Sequence, residues 1–317
     1  MSKTESKKLT EGDCLEHQAR IAIIGAGLVG STIAFAVMLK GLAAELILID
    51  VNEAREEGEV MDLGDGLING QIGNICRGDL ADCQNVDLVI ITAGLGQKVG
   101  ESRLDLITKN KAILENIIAG MGKLRPDTVV LVIANPVDVL TQLAVQLIDL
   151  PHGQVFGSGT ALDTARLRHN IAKKLGVNVA NVQGYVLGEH GDSEFVAWET
   201  VTVSGAPIAG LLSAGEQKEI EDKTRSAAYD IIQRKSATYY GIAAVASEII
   251  AAILQNKELI MPVSTEPGSA YGLSGVSLGV PAILGRRGIE KIWPVALNSE
   301  SQDKLKHSAQ ILQDFLK

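Results

Sequence analysis

Apolar runs alternate with segments of helical periodicity through the first half of the chain. The runs Arg20 to Gly25 and Glu45 to Asp50 predict buried strands, and Gly27 to Gly41 between them predicts a helix. This strand-helix-strand unit has the length of a parallel crossover. The alternation continues with two more strands and two more helices, at Asp87 to Ala93, Leu104 to Leu124, Thr128 to Ala134 and Val137 to Asp149. We therefore predict an α/β fold with a doubly wound parallel sheet.

The pattern changes after about Gly157, where short apolar runs are interspersed with helical segments. Four runs predict strands: Val182 to Leu187, Phe195 to Val203, Leu259 to Val263 and Val276 to Leu284. Four segments predict helices: Thr160 to Leu175, Gln217 to Arg234, Ser236 to Gln255 and Ser301 to Leu316. We expect an N-terminal arm or tail (residues 1–19), a nucleotide-binding domain (20–157) and a mixed α+β substrate or catalytic domain (158–317).

Composition and charge narrow the class of protein. The 317 residues are 46% hydrophobic but only 3% aromatic, so we expect aliphatic side chains to fill the cores. The net charge of -9 argues against a nucleic-acid-binding protein, which needs a basic face. No apolar run approaches the roughly 20 residues that span a bilayer, and the polar start does not resemble a secretion signal. We therefore expect a cytoplasmic protein without a membrane partner.

The cysteines carry no signal of their own. Cys14, Cys76 and Cys83 are odd in number and lack the spacing of metal ligands. We predict neither a disulfide framework nor a metal site.

A glycine fingerprint lies between the first predicted strand and helix, in the segment Gly25-Ala26-Gly27-Leu28-Val29-Gly30. In a G-x-G-x-x-G turn the first glycine allows the tight turn, the second lets the backbone approach a pyrophosphate, and the third allows close helix packing. Such a motif alone could be an ordinary turn, but here Asp50 also ends the following strand. An acid at that position accepts bonds from ribose hydroxyls and repels a 2′-phosphate, so we expect NAD rather than NADP.

His190 is the best candidate for a proton carrier. It lies between two glycines directly after an apolar run, and imidazole exchanges protons near neutral pH. Asp163 is the best candidate for a carboxylate that orients the ring. Asp163 and Arg166 share a helix face, so the alternative interpretation is a plain ion pair between them.

The segment Thr92 to Arg103 contains three glycines, an uncharged Gln97 and a cationic Arg103. Glycines permit large backbone changes, so the segment can close as a lid and bring Arg103 onto a bound oxyanion or carbonyl. The alternative for Gln97 is a solvated lid residue without substrate contact.

Together these motifs resemble the lactate/malate dehydrogenase family, and in particular its L-lactate dehydrogenases, from Arg20 to near the C-terminus. The matching segments are the fingerprint with Leu46 to Asp50, Thr92 to Leu106, Asn135 to Asp138, the Asp163 helix, Gly188 to Ser193 and Ala237 to Ala243. The resemblance implies reversible reduction of a 2-keto acid by NADH, with pyruvate and L-lactate as the first choice of substrates, and a homotetramer.

The family's mechanism assigns a role to each charged residue of the set. His190 would be the general acid and base, and Asp163 would stabilise its charged form. Arg166 would hold the substrate carboxylate in a bidentate pair, and Arg103 would polarise the carbonyl.

Less polar positions are assigned by the resemblance alone. Asn135 would position the nicotinamide, Thr238 would line the substrate pocket and Ile242 would pack against the nicotinamide. The cofactor set would comprise Gly25, Gly27, Leu28, Val29, Gly30, Asp50, Thr92, Ala93, Gly94, Asn135 and Ile242. Without the family, Asn135 with its proline is a turn signal, Thr238 a helix surface residue and Ile242 ordinary core.

Two positions bear on specificity and regulation. Malate-specific members carry Arg where this chain has Gln97, so the resemblance favours a monocarboxylate such as pyruvate. Many bacterial members bind fructose 1,6-bisphosphate through an Arg and a His; Arg168 matches the first, but Gln183 replaces the second. We therefore expect weak or absent activation. A broad L-2-hydroxyacid dehydrogenase, a malate dehydrogenase and a non-catalytic NAD-binding structural protein stay open as alternatives.

Overall fold

The computed structural model describes residues 19–69, 73–96 and 103–316 of the chain. Within them the strands are β1 (Arg20–Ile24), β2 (Glu45–Ile49), β3 (Asn74–Arg77), β4 (Leu88–Ile91), β5 (Val129–Val132), β6 (Val155–Gly157), β7 (Val182–Gln183), β8 (Val186–Leu187), β9 (Phe195–Val196), β10 (Thr202–Val203), β11 (Ala206–Pro207), β12 (Leu259–Thr265), β13 (Leu278–Gly285) and β14 (Gly288–Ile292). The helices are α1 (Leu28–Leu39), α2 (Glu53–Asp65), α3 (Arg103–Met121), α4 (Val137–Leu147), α5 (Ala161–Leu175), α6 (Ala214–Lys235), α7 (Tyr240–Leu254) and α8 (Ser299–Leu316).

The main sheet of the described chain runs in the order β14-β13-β12-β6-β5-β4-β1-β2-β3. Strands β1 to β6 pair in parallel, and their order 3-2-1-4-5-6 is that of a doubly wound nucleotide-binding sheet. Strands β12 to β14 continue the same sheet in antiparallel pairing, beginning where Ser264 pairs with Gly157. The predicted parallel α/β sheet is confirmed.

Alternate residues of each central strand enter two different cores. Ile21 and Ile23 of β1 pack toward α1 and α7, whereas Ala22 and Ile24 pack toward α3 and α4. Both faces of the parallel strands are therefore buried, which explains why these strands are continuous apolar runs in the sequence.

In the second half of the described chain, two small sheets lie beside the main one. Strand β8 pairs with β9, and β7 pairs with β10, which in turn pairs with β11. The single strand predicted over Val182 to Leu187 is therefore wrong: Gly184, with a φ of 140°, separates β7 from β8. The helix predicted from Ser236 begins instead at Tyr240, because Ser236 adopts a left-handed conformation that ends α6.

The sheet is continuous across the predicted domain boundary between residues 157 and 158. Strand β6 ends at Gly157 and α5 follows directly, while β12, from far along the chain, pairs beside β6. The boundary itself stays a prediction. None of the described helices combines the length and apolarity needed to cross a bilayer.

Candidate active site

The glycine fingerprint forms the turn between β1 and α1. Gly25 has a φ of 102°, and a Cβ there would lie 2.7 Å from the Ala93 nitrogen. A Cβ on Gly30 would lie 1.9 Å from the Gly25 carbonyl oxygen, so α1 touches the turn at this point. Around Gly27, in contrast, a Cβ would meet no atom within 4 Å. The turn is closed on its inner side and open at the second glycine.

The open side of the turn faces the start of α1. Gly27 is the N-cap of α1 and provides no side-chain cap, so the first N–H groups of the helix lack a capping oxygen from that residue. Leu28, the first residue of the helix, is exposed. Free N–H groups and the helix dipole at such a terminus attract phosphate.

Asp50 is tied to the fingerprint directly. Its Oδ2 accepts a bond from the Ala26 N–H at 2.7 Å, and its Oδ1 accepts one from the Asn52 N–H at 2.8 Å. Thr92 completes the turn from the neighbouring strand end, because its hydroxyl donates to the Gly25 carbonyl oxygen at 2.8 Å. The predicted cofactor residues Gly25, Asp50 and Thr92 therefore meet at the carboxyl ends of β1, β2 and β4.

A second cluster joins His190, Asp163 and Arg166. The Nδ1 of His190 lies 2.6 Å from Asp163 Oδ2, and Arg166 Nη1 donates to Asp163 Oδ1 at 2.9 Å. Asp163 is only 2% exposed, whereas the His190 ring is 25% exposed. The ion pair considered from the sequence therefore exists, but it is buried and shares its carboxylate with the imidazole.

Threonines of α5 bring the His190 segment over Asp163. Thr160 donates to the Val186 carbonyl oxygen at 2.7 Å, and the Val186 N–H donates to Thr164 at 2.9 Å. Strand β8 is thus fixed along the helix that carries Asp163. Gly188, with a φ of 93°, then turns the chain toward His190.

Asp138 of α4 holds the His190 backbone. Its Oδ2 accepts a bond from the His190 N–H at 2.7 Å, and its Oδ1 accepts one from the Ser264 hydroxyl at 2.5 Å. Burial raises the pKa of Asp138 to about 6 against the effect of these bonds. Three elements, α4, α5 and β12, therefore position one histidine.

The electrostatics of the cluster favour a charged imidazole. Burial alone would lower the pKa of His190, but the charge and hydrogen bond of Asp163, with Glu194 and Asp138, raise that pKa to about 9. Burial likewise works to raise the pKa of Asp163, yet His190 and Arg166 outweigh it and hold that pKa below its ordinary value. The pair stores a proton on the ring and keeps the carboxylate ionised.

Two family models match this chain along most of its length. The lactate/malate dehydrogenase NAD binding domain matches residues 19–157, and the lactate/malate dehydrogenase alpha/beta C-terminal domain matches residues 160–317. The chain belongs to the lactate/malate dehydrogenase family. The glycine turn with Asp50 thus lies in the NAD-binding part, and the His190 cluster lies in the C-terminal part.

Curated relatives and solved structures in the family are similar over nearly the whole chain. An L-lactate dehydrogenase of Clostridium botulinum (strain 657 / Type Ba4) is 43% identical over 95% of this chain and 96% of its own length. One from Acetivibrio thermocellus is 42% identical over 94% of this chain and 96% of its own. The crystal structure of the minor L-lactate dehydrogenase from Enterococcus mundtii has a TM-score of 0.91 at 40% identity, and covers 94% of this chain and 98% of that one. A lactate dehydrogenase from a Medee basin deep-sea metagenome has a TM-score of 0.90 at 39% identity, with the same coverage.

The remaining residues that the family resemblance named are distributed around the two clusters. Asn135 is exposed at the end of β5, and its carbonyl oxygen accepts a 2.7 Å bond from Asn110. Thr238 lies in the connection before α7 rather than on a helix surface, and Ile242 is partly buried against the core. Gln97 and the Arg103 side chain lie outside the described residues.

Arg168 and Gln183, the two positions that bear on binding of fructose 1,6-bisphosphate, line one cavity of about 590 Å³. Arg168 donates through Nε and Nη2 to the Gly184 carbonyl oxygen at 3.2 and 3.1 Å, and its guanidinium carbon lies 5.6 Å from the centre of the Tyr185 ring. Gln183 is exposed. The cation is therefore held by its own chain, and the neighbouring position is uncharged.

Three residues at the site were not singled out from the sequence: Asp138, Glu194 and Asn110. Each is almost fully buried, at 2%, 6% and 1% exposure. Asn110 fixes the chain after β4, since its side chain bonds both the N–H and the carbonyl oxygen of Leu95. A polar residue on the apolar face of a predicted helix was the available signal for Asn110 and Asp138.

Proposed function

We propose that this protein is an NAD-dependent L-lactate dehydrogenase that interconverts pyruvate and L-lactate. The single observation that carries the proposal is the buried His190–Asp163–Arg166 cluster, a proton carrier beside a cation that suits a carboxylate. The L-lactate dehydrogenases of Clostridium botulinum and Acetivibrio thermocellus, similar over 94 to 95% of the chain, support the choice of substrate.

The residues present fit an NAD molecule. Gly27 leaves open space at the uncapped start of α1, where the pyrophosphate would bind. Asp50, partly exposed beside this turn, would bind the ribose and exclude a 2′-phosphate. When bound, the cofactor would supply a hydride to the keto acid in its reduced form, NADH, and would accept one from the hydroxy acid in its oxidised form, NAD. Leu28, Val29, Thr92, Ala93, Gly94, Asn135 and Ile242 complete the proposed cofactor set.

His190 moves the proton of the reaction. Because Asp163 occupies Nδ1, the other ring nitrogen is left for the substrate oxygen. The charged ring donates its proton to that oxygen as the keto acid is reduced, and the neutral ring accepts it when lactate is oxidised. Asp163 stabilises the imidazolium and fixes the tautomer.

Arginine and amide side chains bind and select the substrate in this proposal. Arg166, 13% exposed, holds the pyruvate carboxylate while remaining paired with Asp163. Arg103 polarises the carbonyl as charge develops on its oxygen, and Gln97 meets the methyl group. Thr238 lines the pocket. A second carboxylate beside an uncharged Gln97 would be buried without a counter-charge, which costs several kcal/mol.

We further propose a cytoplasmic homotetramer that fructose 1,6-bisphosphate does not activate. Exposed apolar side chains on α1, namely Phe35 and Leu39, support assembly with further copies. The internal bonds of Arg168 and the neutral Gln183 support the absence of activation.

The proposal is tested by following NADH oxidation with pyruvate for the wild type and for His190→Ala. We expect turnover by the wild type and a loss of about 100-fold or more in kcat for the variant, the scale of general acid–base catalysis. NADH binding, measured by fluorescence, should stay within a few-fold of wild type, since His190 belongs to the other cluster. Turnover of the variant near the wild-type rate would contradict the assignment.

A further inference from the structure

Glu194 is a buried acid that the mechanism above does not use. It follows His190 by four residues, directly before β9, and is 6% exposed. One oxygen of its carboxyl group, one oxygen of Asp163 and one ring nitrogen of His190 all lie within 4.8 Å of one another. A second carboxyl group therefore adjoins the proton-carrying pair.

The nearby cations are committed to other oxygens. Arg166 donates to Asp163, and Arg225 Nη2 donates to the backbone oxygen of Glu194 and to the Glu221 carboxylate. Among the described residues, no hydrogen bond reaches the Glu194 carboxyl oxygens from either guanidinium. The Asp163 carboxylate keeps its charge because Arg166 and His190 both bond to it, whereas neither of these residues bonds to the Glu194 carboxyl group.

Two buried carboxyl groups at this separation repel each other when both are ionised, and this repulsion favours a proton on one of them. The group with the better donors keeps the charge. We propose that Glu194 is a positioning residue of the site that retains its proton at neutral pH, so that it adds no further negative charge beside Asp163 and His190. In alkaline solution Glu194 loses that proton, and the new charge then holds the proton on His190.

Burial and the charge of Asp163 outweigh the cations around Glu194. Burial and then the Asp163 charge raise the pKa of Glu194 to about 9, while His190, Arg225 and Arg166 oppose the rise. Asp138 of α4, bonded to the His190 N–H, adds a further negative charge that raises the pKa of His190. The net effect of burial and the surrounding charges favours a neutral Glu194.

A polar cavity gives Glu194 access to solvent protons. Its volume is about 450 Å³, and it is lined by Glu194 together with Glu221, Arg225, Lys304 and His307. Water in this space can exchange a proton with Glu194.

The two ionisations are coupled, so replacing Glu194 changes the titration of His190. In the wild type, ionised Glu194 favours the charged imidazole as the pH rises, and keto acid reduction needs that charged form. An uncharged glutamine cannot supply this charge. The alkaline limb of reduction should therefore fall at lower pH in Glu194→Gln.

Infrared difference spectroscopy tests the protonation without any substrate. The wild-type minus Glu194→Gln spectrum at neutral pH should contain the carbonyl stretch of a protonated carboxylic acid, and in the wild type this band should fade as the pH rises through about 9. Glu221→Gln is the matched control, since it removes a carboxyl group from the same cavity wall. Because this variant keeps Glu194, its own spectrum should still contain the band of the protonated acid. A difference spectrum without the band, or a wild-type band that is absent at neutral pH, would overturn the proposal.

The pH dependence of kcat/KM for pyruvate tests the coupling and rests on the proposed function. We expect the alkaline limb of Glu194→Gln to shift downward on the order of one pH unit. Glu221→Gln should follow the wild type. A limb that does not move would overturn the coupling. Absence of any pyruvate turnover by the wild type would instead contradict the proposed function and leave the infrared result to decide on Glu194.

Discussion

At the scale of single residues, the His190 ring owes its charge to its neighbours. Burial disfavours the imidazolium, and Asp163 reverses that effect. Its Oδ2 lies 2.6 Å from His190 Nδ1, and its side chain, which carries the negative charge, is only 2% exposed. Arg166 keeps the same carboxylate ionised from its other oxygen. A substitution of Asp163 should therefore change the pKa of His190.

Asp163→Asn should lower the pKa of His190 from about 9, because Asp163 is the largest of the groups that oppose the effect of burial on the imidazolium. In the proposed mechanism pyruvate reduction needs the charged ring, so its alkaline limb should move down with the pKa, and kcat/KM at pH 7.5 should fall by about 100-fold or more. A pH profile of kcat/KM checks this. The exposed substitution Asp222→Asn is the control and should leave the profile unchanged.

The same substitution should alter the pH dependence of stability. A histidine whose pKa is raised on folding stabilises the protein fully below pH 6.5, and this contribution is lost as the pH rises toward 9. The free energy of unfolding of the wild type should therefore decline over that window. If Asp163→Asn declines equally, Asp163 is not the cause of the raised pKa.

Residues with a distinctive local setting could be predicted from the sequence. His190 between two glycines and Asp50 at a strand end were predicted in this way, and the structure places His190 against the predicted Asp163. Glu194 was not predicted, because an acid in a turn is ordinarily solvated and its burial depends on α5 and α6, which are distant in sequence.

At the scale of elements, the turn between β1 and α1 contains two glycines with different surroundings. Gly30 has no room for a methyl group, since a Cβ would lie 1.9 Å from a backbone oxygen, whereas Gly27 faces open space. Gly30 is required for packing within the protein, whereas we predict that Gly27 is required for the approach of the proposed cofactor.

Gly30→Ala should lower the melting temperature, since α1 must move off the turn. Overpacking of this kind costs about 1 to 3 kcal/mol. Gly27→Ala, at a φ of -77° that alanine adopts freely, should leave the melting temperature unchanged and weaken NADH binding about tenfold or more. Calorimetry and fluorescence titration measure the two effects. Equal NADH affinity of Gly27→Ala and the wild type would argue against a pyrophosphate at this turn.

Helices and strands with a regular spacing of apolar residues were predicted well, and those without such a spacing were not. Helix α1 was predicted within two residues at each end, because apolar residues define it between two glycines. Helix α2 was not predicted, since it is largely charged and buries few residues, and β3 at the sheet edge has only one buried residue. The division of one apolar run into β7 and β8 depends on partners β10 and β9, which periodicity does not reveal.

At the scale of the whole molecule, one sheet joins the NAD-binding part of the chain to the C-terminal part. Parallel strands β1 to β6 carry the glycine turn, and antiparallel strands β12 to β14 extend the sheet past β6. The helix α5, which carries Asp163, begins directly after β6. The parallel order was predictable from alternation along the chain, whereas the return of β12 to the sheet edge was not, because its partner is about a hundred residues earlier.

Fructose 1,6-bisphosphate should not activate the enzyme. Arg168 is bonded to Gly184 and lies near the Tyr185 ring, so it would have to leave both to meet a phosphate, and Gln183 offers no charge. The KM for pyruvate, measured with and without the bisphosphate, should change less than about twofold, a free-energy difference well below one ionic contact. A large fall in that KM would refute the prediction.

The proposed reaction is tested most directly by kcat/KM for pyruvate and oxaloacetate, measured side by side with NADH for the wild type and for Gln97→Arg. An unpaired second carboxylate costs several kcal/mol, so the wild type should prefer pyruvate by about 100-fold or more, and the variant should shift toward oxaloacetate. Including 2-oxoisocaproate measures the tolerance for longer apolar side chains. Comparable values for pyruvate and oxaloacetate in the wild type would contradict an L-lactate dehydrogenase.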